Sequence, residues 1–204
     1  MGVARQWCGR LGKVENCQVG IDMAYVSRNA HAAVSPRLYL PEEWTRDRAR
    51  CEAAGVPKGT EFRTRHDLAL ERLDEHGSLL PHSWVAGDDE MGRPASFRRD
   101  LSARGERYLL AVPSNTLVRD AEMPPPEYSG RGRHPLNPFV RMDRWGAALP
   151  DAARATIAVR DGEKGPLTVD VVKRRVLART PTGGTGPEEL LLIARASIGW
   201  HVQA

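Results

Sequence analysis

At 204 residues, with 41% hydrophobic and 27% charged side chains, the chain reads as globular, one domain or one domain with an insertion. No apolar run approaches the roughly 20 residues that cross a bilayer. "MGVARQWCGRLGK" lacks the apolar core of a signal peptide, so the expected location is cytoplasmic.

The three cysteines, Cys8, Cys17 and Cys51, form no CxxC pair, which argues against a disulfide framework and a structural zinc site. The net charge of +4 is compatible with a polyanionic partner. Of the 30 basic residues only Lys13, Lys58, Lys164 and Lys173 are lysines. Arginine suits bidentate phosphate contacts, although GC-rich codon usage produces the same bias whatever the function.

In chain order, residues 1–18 are mixed and polar with three glycines. Val19, Ile21, Met23 and Tyr25 alternate, which predicts a half-buried strand over 16–27. Ser27-Arg28-Asn29 is a turn signal, and 30–41 returns as a second strand to give a hairpin. Residues 41–57 predict a helix stopped at Gly55 and Pro57. Thr64 and Asp67 have capping-box spacing ahead of a helix that ends at Gly77. Residues 82–88 predict a short buried strand, 93–105 a helix, and 107–119 a strand bent at Pro113. This strand–helix–strand order is the grammar of a sheet with parallel members. Residues 122–138, rich in Pro, Gly and Arg, predict a loop. A short helix follows at 140–150, then two strands around Asp161–Gly165, a turn at 180–188, and a strand at 189–196.

The chemistry concentrates in "SWVAGDDEMGR", residues 83–93. Asp88, Asp89 and Glu90 follow directly on the end of a strand. Functional groups gather just past the carboxyl ends of parallel strands, and neighbouring carboxylates give a cation a reason to sit between them. Asp88, with Asp89 or Glu90, is therefore a candidate ligand for a divalent metal such as Mg²⁺. Acids in that position also cap the following helix and favour its dipole. Asp22 is a further candidate ligand, though its alternation with apolar neighbours makes it a solvated acid. His66 and His76 are ten residues apart, which is no metal spacing. "GGTGPEE" lacks the GK[ST] ending of a phosphate loop and reads as a turn. The tryptophans, Trp200 included, read as packing anchors, and His201 as a surface residue.

Several blocks stand in a recognisable order: 2–21, 38–57, "WVAGDDEMGRPASFRRDL" at 84–101, "GERYLLAVPSNTLVRD" at 105–120, and 159–180. Together the chain resembles the bacterial insertion-sequence transposases with a DDE-type endonuclease domain, from Gly2 to about Ala194. The resemblance implies an α/β, RNase-H-like fold with a β-rich insertion in its C-terminal part. It divides the chain into a partial endonuclease core at 1–121, a loop at 122–138, and the insertion region at 139–204. It also implies an acid triad that binds two Mg²⁺ ions and cuts and joins DNA at transposon ends. The triad's second acid maps to Asp88, with Asp89 as the alternative, and Arg93 maps to a position beside the DNA backbone.

In this family the first acid lies upstream of the "GVARQ" block and the third on a helix beyond the insertion. The tail "SIGWHVQA" departs from the family, and Glu188 and Glu189 lie inside the insertion, so neither is the third acid. On this mapping one of three ligand acids remains. The expected protein is a catalytically incomplete transposase, truncated at both ends, with at most weak Mg²⁺ binding. Its expected partners are DNA, a second copy, or an intact transposase that it would modulate without cutting. The other reading open to these residues is a separate metal nuclease built from Asp22, Asp88 and Glu90.

Overall fold

The computed structural model describes residues 1–162 and 165–196. Contacts divide the chain into two units, Met1–Val85 with Arg104–Tyr108, and Ala86–Ala103 with the chain from Leu109 onward. No helix among the described residues is long and apolar enough to cross a membrane.

The first unit opens with an antiparallel hairpin, β1 (Ala4–Cys8) on β2 (Lys13–Cys17). Composition hid this pair. Half-buried Ala4, Gln6 and Cys8 alternate with exposed Arg5 and Trp7, so the inward residues are small or polar and the large apolar one faces out. The hairpin expected at 16–41 is present as two short ladders. β3 (Val19–Ile21) pairs with the later β6 (Arg37–Tyr39), and β4 (Ala24–Val26) with β5 (His31–Ala33). Ser27 N–H donates to Ala30 C=O at 2.8 Å and closes the turn.

The single helix expected over 41–57 is two. α1 (Glu42–Arg46) ends at Asp47, whose backbone leaves the helical region and whose carboxylate accepts from Arg50 N–H to start α2 (Arg48–Ala53). An aspartate prefers a cap to a helix interior. Trp44, Cys51 and Val56 form a small core here, and the Trp44 indole N–H donates to Val3 C=O at 2.9 Å. α3 (Arg65–His76) starts as the sequence requires, with both hydrogen bonds of the Thr64–Asp67 capping box formed.

After α3 the chain passes His82, which carries a testable pH dependence. Its Nδ1 lies 2.7 Å from Leu80 C=O and its Nε2 lies 2.9 Å from the Glu106 carboxylate. The carbonyl first and the carboxylate second favour the imidazolium, so the His82 pKa is raised above the ordinary histidine value. A raised folded-state pKa gives stability that is fully present below the unfolded pKa of about 6.5 and is lost as pH rises through the folded value. Urea unfolding should therefore show a larger loss for His82→Gln at pH 5.5 than at pH 8.5. An equal loss at both pH values would refute the assignment.

The division between the units falls within β7 (Val85–Gly87), which α4 (Asp89–Gly92) and α5 (Ala95–Ala103) follow, and again within β8 (Tyr108–Leu110). Val85 N–H donates to Arg107 C=O at 2.8 Å, and Ala111 N–H donates to Gly87 C=O at 3.0 Å. Both partners advance together along the chain, which is the pattern of a parallel pair. The strand–helix–strand reading is thus borne out, in a sheet of two strands. The expectation of a buried strand fails at Trp84, which is 58% exposed and stands ahead of the ladder with the Arg107 guanidinium 5.2 Å from its ring.

The strand expected over 107–119 breaks around Pro113, and β9 (Leu117–Asp120) is separate. Residues 122–138 form no helix or strand, as their composition requires. Then come β10 (Val140–Arg141), α6 (Met142–Ala148), β11 (Ala155–Gly162), β12 (Gly165–Arg179) and β13 (Thr185–Ala196). They form one antiparallel sheet in the order β10-β9-β12-β11, with β13 on β12. The β-rich C-terminal part is therefore present. β13 begins four residues before the expected strand, because the turn closes early, with Thr180 N–H donating to Gly184 C=O.

Period-two alternation gives this sheet two faces. Val172, Val176 and Ala178 point inward and are buried, as is Val118 of β9. Ile193 meets Gly146 of α6 on that side, and Glu189 meets Arg98 of α5. Glu163 and Lys164 of the expected Asp161–Gly165 turn lie outside the described residues. So does the tail 197–204, with Trp200 and His201.

Candidate functional site

Asp88 stands one residue past the carboxyl end of β7 and is the N-cap of α4. Its Oδ1 accepts from Met91 N–H at 3.1 Å. Asp89 and Glu90 follow in the first helical turn. Asp89 faces solvent, and its Oδ2 lies 3.5 Å from the Arg93 guanidinium one turn on. The sequence thus places Asp88, Asp89, Glu90 and Arg93 together on one short turn. Both alternatives weighed for Asp88 meet here, since it follows a parallel strand and it caps a helix.

Two glycines hold this turn against β8. A Cβ on Gly87 would lie 2.8 Å from Leu110 Cδ2 and 3.0 Å from Met91 Cβ. A Cβ on Gly92 would lie 1.8 Å from the Ala111 carbonyl oxygen, which no neighbouring side chain can relieve. The carboxyl end of α4 is then fastened by a buried arginine. Arg98 Nη1 donates to Gly92 C=O at 2.5 Å, and a second, longer bond reaches Arg93 C=O. Its Nε and Nη2 donate to the two Glu189 oxygens at 2.6 and 2.9 Å, a bidentate pair with side chains only 8% and 15% exposed. Sequence reasoning missed Arg98. Its only local signal was an arginine on the helix face shared with Phe97 and Leu101, and its partner is 91 residues away.

The family described as DDE superfamily endonuclease matches residues 1–166. The chain belongs to that family. The match covers both sides of the Asp88 turn and stops at the start of β12. The chain is also similar to ribonuclease Z from two strains of Halobacterium salinarum, 31% identical over 99 residues, 48% of this chain and 32% of each relative. It spans about a third of the length of these curated relatives. No solved structure matches the chain.

DDE superfamily endonucleases act with divalent metal ions, so the fit of this chain's residues to a metal matters. Among the described residues no three His, Cys, Asp or Glu side chains gather where an ion could sit. Asp88 and Glu90 therefore belong to no such ligand set among the described residues. Glu189 is engaged by Arg98, and Glu188 lies 3.4 Å from Arg175. The residues described do not fit a two-metal centre, which needs several carboxylates in fixed geometry.

Proposed function

We propose that this DDE superfamily endonuclease is part of an insertion-sequence transposase that engages DNA and does not by itself cut it. The supporting observation is the state of the Asp88 turn. Asp88 occupies the position of the family's second acid, at the end of a parallel strand, yet its carboxylate is used as a helix cap and Asp89 is paired with Arg93. A single exposed carboxylate binds Mg²⁺ weakly and cannot align two ions for in-line displacement. The chemistry that remains is recognition. Arg93, exposed at the end of the same turn, is a contact for the DNA backbone.

The decisive measurement is nicking of supercoiled plasmid in Mn²⁺ or Mg²⁺, run beside equilibrium binding to duplex DNA. The expected outcome is salt-dependent binding without nicking, and equal binding by Asp88→Asn. Nicking by the wild-type chain that Asp88→Asn abolishes would overturn the non-cutting reading and establish Asp88 as a metal ligand. Asp88→Ala should cost about 1 kcal/mol of stability through loss of the cap.

A further inference from the structure

We propose that the outward face of the C-terminal sheet is a docking surface for duplex DNA, held through its phosphate backbone. This rests on the DNA reading above and places most of the contact beyond the stretch matched by the family, since Lys173, Arg175 and Arg179 of β12 follow residue 166 while Arg160 lies within it.

The register fixes which side chains share that face. On β12 the residues alternating with buried Val172, Val176 and Ala178 are Lys173, Arg175, Leu177 and Arg179. Opposite Lys173 on β13 is Leu192, and opposite Arg175 is Leu190, both exposed. Arg160 of β11 lies opposite Leu167 and joins the same face. Four cations thus stand against two acids, Glu188 and Glu122, both of which lie beside Arg175. Arg160, Lys173 and Arg179 have no ion-pair partner among the described residues.

The arrangement selects its occupant. Lys173 and Arg179 are six residues apart on one strand, a row of about 20 Å at 3.3–3.4 Å per residue. That reaches several successive phosphates of a duplex. β11, β12 and β13 contain no aromatic residue, so nothing on this face can stack on unpaired bases. A second copy docked by the same face would bring cations onto cations. Leu190 and Leu192 each lie beside a cation across the ladder, and exposed Ile157, opposite Val169, adds an apolar margin on β11.

The test removes three cations, Arg160→Gln, Lys173→Gln and Arg179→Gln together, and follows binding of the full chain to a short duplex across a salt series. Arg5→Gln, Arg10→Gln and Arg28→Gln, exposed in the first unit, remove the same charge elsewhere. The sheet variant should lose about tenfold or more in affinity and flatten the salt dependence by about three phosphate contacts, while the control changes far less. If wild type binds and both triple variants weaken equally, the face is wrong and the DNA reading stands. Failure of wild type to bind any duplex ends both. Acetylation of Lys173 in the wild-type chain gives a readout without substitution. Protection by duplex supports the surface, and unchanged labelling of Lys173 in the bound complex overturns it. Protection by self-association in the absence of DNA, relieved by Leu190→Glu, would assign the face to a second copy instead.

Discussion

Gly92→Ala is expected to be among the most damaging single substitutions in the chain, costing about 3 kcal/mol or more of folding stability. The added carbon would fall 1.8 Å from the Ala111 carbonyl oxygen and 2.8 Å from its carbon, both backbone atoms held at the end of the parallel pair. Relief requires α4 and β8 to part, and that in turn strains the Arg98 bond to Gly92 C=O. Urea denaturation of the variant beside Gly9→Ala makes the comparison. A Cβ on Gly9 meets nothing within 4 Å, so its replacement should be close to neutral. Equal midpoints for the two variants would show that the turn does not approach β8 as described.

The second large effect is at Arg98 and Glu189. Removing one member of a buried pair leaves the other charged without compensation, a loss of about 3–5 kcal/mol. Glu189→Ala should fall in that range, and so should Arg98→Ala, which also releases Gly92 and Arg93 C=O. Replacing both at once, Arg98→Met with Glu189→Leu, removes the stranded charge and should recover most of the loss. The carbonyls of α4 would still lack their donor, so recovery should stop short of wild type. A double variant as unstable as the sum of the singles would show that the two side chains act independently.

What could be read from the residues was local. The Thr64–Asp67 capping box, the Ser27 turn and the break around Pro113 each depend on neighbours within a few positions, and each is present. Asp88 was legible as a strand end followed by a helix, and its capping role was one of the two physical readings of an acid placed there. Gly87 and Gly92 were visible as glycines, but their reason lies in β8, about 20 residues on. The Arg98–Glu189 pair was beyond reach because no pattern within α5 points to a strand 91 residues away. The β1–β2 hairpin escaped for a different reason. Its inward residues are Ala4, Gln6 and Cys8, so the usual apolar alternation is inverted at Trp7. The residues themselves pointed to the acidic turn, and local bonding determines what Asp88 is engaged in.

The order of strands in the C-terminal sheet also bears on how the protein is made. β9 and β10 share a ladder of only two residue pairs, too little to persist alone. The strand that secures β9 is residues 176–178 of β12, synthesised 56 to 60 residues later. At about 5–20 residues per second, that leaves β9 waiting several seconds on the ribosome with its apolar side uncovered. The late arrival of β12 leaves β9 without its main ladder until residues 176–178 have emerged.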